Sequence, residues 1–324
     1  KGVIDCPDLP LNVSRSALQN DGFVNKISDY ISKKVADKLT GMCKTDRESY
    51  EKYWDDISPF IKFGCLKDEK FCDKMSDYIL FKNIDHEYLT LKDCIAKNGG
   101  AQEAKAEEEK TEASEGENTE EKAEEKKVTI YYVTDEQQQS QYINMFKQEG
   151  LDVVLLTHNI DSPFVTQLEQ RNENVQFQRI DADLTDTFKE EVAKEEEEAF
   201  KADTETLTDV FRKALENDKL EVKVEKLKNE NVASMVTLSE QSRRMQEMMK
   251  MYNMYGMDPS MFGTDVTLVL NANHPLVQYV LKNKDGEHVP MFCKQLFDLA
   301  MLSNKPLNPE EMTAFINRSN EIMM

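Results

Sequence analysis

The sequence predicts an α+β multidomain chain: a helical segment, a small three-layer α/β/α module with a parallel sheet, and an α+β domain ending in a helical hairpin. Three observations predict it. Apolar residues recur at helical spacing through the first eighty positions. Strand and helix patterns alternate between 128 and 181. The last 120 residues mix strand runs with helices and close on two strongly apolar ones.

Residues 9–20 read "LPLNVSRSALQN". A proline turn leads to Asn12 and Ser14, both good helix caps. Arg15 and Gln19 follow four residues apart, so they share one helical face. A cation at a short, braced helix start suits an incoming anion. It is equally an ordinary surface arginine.

Residues 23–40 hold Phe23, Val24, Ile27, Ile31, Val35 and Leu39, a helical pattern. Residues 47–63 repeat it with Tyr50, Tyr53, Trp54, Ile57 and Ile61, and Pro59 is expected to kink or end that helix. A third helix is expected near 68–80, and Thr90 caps a further turn in "YLTLKDCIA". The region is read as helical throughout.

Residues 101–127 hold eleven Glu against five Lys, a net charge of −6, with no aromatic residue and no Leu, Ile, Val or Met. Such a stretch buries too little apolar area to offset its chain entropy, so 97–127 reads as an acidic disordered insert. "VTIYYVT" (128–134), "LDVVLLT" (151–157) and "VQFQRID" (175–181) then read as buried strands, separated by helices stopped at Gly150 and opened at Pro163. Strand–helix–strand–helix–strand implies a parallel sheet with right-handed crossovers. Asp135, Glu136 and three Gln follow the first strand, so no Gly-rich phosphate cradle is present.

The domains drawn are 1–96, 97–127, 128–202 and 203–324. In the last, strands are predicted at 220–227, 233–239 and 265–271. Residues 242–257, "SRRMQEMMKMYNMYGM", are amphipathic: Met245, Met248, Met249, Met251, Tyr252 and Tyr255 share one arc. They fill a core or form an exposed adaptable surface; Met254, within the polar arc, favours exposure. "PMFCKQLFDLAML" (290–302) is apolar over roughly 200° of arc. Phe292, Leu296 and Leu299 form one stripe; Cys293, Phe297, Ala300 and Met301 the next. Asn308, Pro309 and Glu311 open a last helix carrying Met312, Phe315, Ile316, Ile322 and Met323 on one side. A surplus apolar face predicts either an intramolecular cover or a self-complementary homodimer, two hairpins making a four-helix bundle.

Composition excludes several functions. The formal charge is −21 and mean hydropathy −0.65, which argues against a nucleic-acid partner. No apolar run spans a membrane. The six cysteines form no CxxC and read as reduced, buried thiols of a cytosolic protein. The four histidines form no metal motif, so no metal site is expected. A redox or dinucleotide enzyme lacks its motifs. The start without Met, inside a strand-like "GVID", reads as a fragment of a longer protein.

"KGVIDCPDLPLNVSRSALQ" resembles the segment leading into the phosphate-sensing loop of the ninety-kilodalton heat-shock chaperone family, bacterial branch. "IYYVT", "LLTHNIDSPFVTQLE" and "LNPEEMTAFINRSNEIM" are similar to later parts of that family, in the same order, so the likeness covers nearly all of the chain but the acidic insert. It implies a chain running from late in a middle domain to a C-terminal dimerisation and client-binding domain. The ATP-binding domain lies elsewhere: ATP and Mg belong to the full-length ATPase, and this fragment alone binds no cofactor. Arg15 and Gln19 would contact the γ-phosphate, with Asn12 a weaker participant. Met245, Met248, Met249, Tyr252 and Met254 match the family's client-facing helix. Phe292, Leu296, Leu299, Phe315, Ile316 and Ile322 would form the dimer interface. The implied partners are a second copy, non-native client proteins and the missing N-terminal domain, in the cytoplasm. His158 stands where the family carries an acidic residue and takes no role. The alternative is a passive dimeric scaffold.

Overall fold

The computed structural model describes residues 22–99, 127–182, 188–190, 197–238, 266–304 and 307–324. It is a mixed α+β chain in two compact units, one holding 22–81 and 88–92, the other 82–87 and the described residues from 93 on.

In the first unit, α1 (Gly22–Thr45) is followed after one residue by α2 (Arg47–Lys67). Asp46 caps α2, its carboxylate accepting from the Ser49 amide at 3.2 Å. Tyr50, Trp54, Ile61 and Cys65 are buried on one face, the three-to-four spacing of a core stripe. That packing carries α2 through Pro59 to Lys67; the proline does not end the helix, because one missing amide costs less than exposing the stripe. Asp68 ends α2 and caps α3 (Glu69–Met75), accepting from the Lys70 and Phe71 amides. Gly64 lets the Phe71 ring approach closely: a Cβ there would stand 2.9 Å from it.

The region is not helical throughout, contrary to what its pattern predicts, but holds a small sheet. β1 (Leu80–Lys82) and β2 (Tyr88–Thr90) form a two-stranded sheet. Three-residue strands are too short to show alternation. His86, at φ 63° in the turn between them, is a left-handed position that a non-glycine residue fills only in a tight turn. Helix α4 (91–99) follows.

The second unit contains the parallel sheet. β3 (Val128–Val133) is central, with β4 (Val153–Leu155) and β5 (Val175–Arg179) parallel on either side. α5 (Ser140–Gln148) and α6 (Asp161–Arg171) connect them. Gly150, at φ +67°, turns the chain after α5 as its position predicts. After α7 (Glu197–Leu215) comes a second sheet, in which β8 (Val266–Asn271) lies between β6 (Glu221–Glu225), parallel, and β7 (Ser234–Leu238), antiparallel. α8 (Pro275–Lys282), α9 (Val289–Leu302) and α10 (Pro309–Met323) complete the chain.

Strand alternation divides the second sheet between two cores. Val236, Leu268 and Leu270 face Leu207 and Phe211 of α7, Val277 and Val280 of α8, and Cys293, Leu296 and Ala300 of α9. Met235 and Val269 join the other cluster, with Tyr142, Met145 and Phe146 of α5 and Tyr131 and Val133 of β3. The α/β module and the last sheet therefore share a hydrophobic core. The wide apolar face of α9 is covered largely by its own sheet and by α7.

Candidate functional site: the terminal hairpin

Arg15, Gln19 and Asn12, and Met245, Met248, Met249, Tyr252 and Met254, lie outside the described residues. The hairpin of α9 and α10 lies within them.

Its second helix begins as the residues dictate. The Asn308 carboxamide accepts from the amides of Glu310 (3.0 Å) and Glu311 (2.9 Å), and the Glu311 carboxylate accepts from the Asn308 amide at 2.9 Å. This closes a capping box with Pro309 in the first turn. A polar seam fixes α10 on α9. The Arg318 guanidinium donates to Gln295 Oε1 at 2.9 Å and pairs with Asp298. Gln295 Nε2 donates to Ser319 Oγ at 2.8 Å. Burial pushes the Asp298 carboxyl above its usual range, and the facing Arg318 opposes that shift only in part. The sequence reading missed this seam. Its signal was the three-residue spacing of Gln295 and Asp298 beside an otherwise apolar stripe.

The apolar residues named for the hairpin divide sharply. Leu296 is 1% exposed and packs in its own domain's core. Phe292 is half-buried, its ring 5.3 Å from that of Tyr279, edge to face. Phe315 and Ile322 are half-buried, while Leu299 and Ile316 are 44% and 50% exposed. α10 has no buried residue at all. A fifteen-residue helix with no fully buried residue is held mainly by the seam, its cap and the partly covered Phe315 and Ile322. Chemically, the surface offers apolar contact with no nucleophile or metal set; among the described residues no group of three acids, histidines or cysteines could hold a metal ion.

Comparison with known proteins matches the Hsp90 protein family over residues 1–105 and 105–324. The chain is 36% identical, over 295 aligned positions, to a chaperone protein htpG of Bacteroides fragilis (strain YCH46), an alignment covering 88% of this chain and 40% of that protein. It is 35% identical over 338 positions to the chaperone protein HtpG of Porphyromonas gingivalis (strain ATCC BAA-308 / W83), covering 99% and 46%. The chaperone protein HtpG of Treponema denticola is 26% identical over 344 positions, covering 100% and 47%. The chain spans less than half the length of these curated relatives.

Proposed function

The chain belongs to the Hsp90 protein family, and from that premise we propose that it is the pairing and client-binding end of an ATP-dependent chaperone that works as a cytoplasmic homodimer. The observation that carries the reading is α10: a helix with no fully buried residue, carrying Ile316 half-exposed, packed on α9, whose Leu299 is also exposed. A second hairpin laid antiparallel on the first would cover these residues and Phe315, Ile322 and Phe292 as a four-helix bundle. Leu296 would support that surface from beneath.

The methionine-rich stretch 242–257 would meet non-native clients, because methionine side chains reshape readily around irregular apolar groups. Arg15, with Gln19 and Asn12, would reach the γ-phosphate of ATP held with Mg by the N-terminal domain of the full-length protein. A guanidinium offered from another domain stabilises the charge that builds on phosphate oxygens, and so couples hydrolysis to closure.

Sedimentation of the chain with and without residues 308–324 tests the pairing. The intact chain should sediment as a dimer and the shortened one as a monomer. Equal association states for the two would refute it.

A further inference from the structure

One buried aspartate sits where three parts of the second unit meet. Asp181, 1% exposed, follows β5. Its carboxylate is held by the Arg179 guanidinium in a two-pronged pair, with Nη2 donating to Oδ2 at 2.6 Å. The same carboxylate accepts from Asn304 Nδ2 at 3.3 Å, in the turn after α9. Its backbone carbonyl accepts from the Leu238 amide, the last residue of β7, at 3.3 Å. Next to it Ser303 Oγ donates to Gln141 Oε1 of α5 at 2.9 Å, and the Tyr142 hydroxyl donates to the Val236 carbonyl at 2.8 Å.

These bonds form a chain of attachment. The parallel sheet ends at Arg179 and Asp181. Asp181 and Gln141 hold Asn304 and Ser303 at the C-terminal end of α9. α9 carries α10 through Gln295, Asp298, Arg318 and Ser319. Because α10 has no fully buried residue, its bearing depends largely on where α9 ends and on the seam. The two arms differ in strength: the Arg179 ion pair is two-pronged and short, whereas Asn304 makes a single contact at 3.3 Å from a neutral amide. The permanent part of the node belongs to the α/β module, and the releasable part belongs to the turn.

We propose that Asp181 and the Ser303–Asn304 turn act as a latch through which the α/β module sets the bearing of the terminal hairpin, and with it the geometry in which two copies pair. The pairing half rests on the proposed function. A latch of this kind lets a rearrangement in the module reach the paired helices without touching the pairing surface. None of its residues is among the apolar residues assigned to that surface.

Asn304→Ala tests it in the whole chain. Asn304 is half-buried in a turn, so the fold should survive its truncation, whereas Asp181→Asn would break the ion pair with Arg179 at a buried carboxylate. The variant should weaken self-association at least fivefold in sedimentation equilibrium. It should also speed amide exchange along Pro309–Met323 several-fold, with exchange in β3 and β5 unchanged. Unchanged exchange in α10 overturns the latch, whatever happens to association. Faster exchange with unaltered association overturns its link to pairing. If the wild-type chain does not self-associate, the pairing reading fails, and the exchange measurement alone decides whether the latch holds.

Discussion

Asp152, just before β4, shows how one side chain sets a pH response. Its Oδ1 accepts from Asn83 Nδ2 at 3.0 Å, while its Oδ2 is buried without a hydrogen-bond partner, 3.9 Å from the Lys97 ammonium. Burial pushes this carboxyl above its usual range, and Lys97 and Asn83 only partly offset that. A raised carboxyl pKa means that the folded chain holds its proton where the unfolded chain has lost it. The contribution to stability is therefore present below the ordinary value of 3.8 and is lost as pH rises through the raised one. Asp152→Asn keeps the bond to Asn83 and removes the charge. Its urea midpoint should gain on wild type between about pH 4 and pH 7; parallel midpoints across that range would contradict the assignment. Cys94 and Cys293 follow the same physics, their thiols pushed to about 12 by burial. The sequence reading took the cysteines together as buried thiols, but nothing in it located Asp152 against Lys97, because the two meet only across the fold.

Single elements were legible where the pattern was long. α1, α2 and α10 follow the 3.6-residue repeat, and the capping box at Asn308 and Glu311 was readable letter by letter. β1 and β2 were not, being too short for a period to show. α9 was legible as a helix but not as a surface. Its breadth of apolar residues left open an intramolecular cover or an outside partner, and much of that face meets β7 and α7 of the same domain. This distinction governs the truncation experiment. Removing 308–324 takes away a helix with no fully buried residue, so the far-UV dichroism of the remainder should persist, less the contribution of α10, and cooperative unfolding should survive. Extending the deletion through 289 would strip Val289, Cys293, Leu296 and Ala300 from the core; at roughly 1.5–3 kcal/mol for each large buried side chain, that domain should not stay folded. Loss of cooperative unfolding in the shorter deletion would show that α10 carries core stability after all.

At the scale of the whole molecule, two regions assigned functions lie on stretches outside the described residues, so their tests are functional. In the full-length protein, Arg15→Ala should slow ATP turnover by about three orders of magnitude or more while nucleotide still binds, the order expected for a trans-acting arginine; unchanged turnover would remove its role. A photo-crosslinker placed at Met248 should capture a non-native protein in preference to its folded form, and equal capture of both would leave the scaffold reading in place.

By itself the sequence determined most of the elements and their order, β1 and β2 excepted, the parallel strand–helix alternation from 128 to 181 and the family resemblance. All of these depend on local periodicity or on motifs a few residues long. The tertiary structure alone decided that the last sheet shares a core with α5, that Leu296 faces inward while Ile316 faces out, and that Asp181 joins Arg179 to Asn304. These depend on which faces meet. An amphipathic pattern states that a face must be covered, and chain distance gives no information about what covers it.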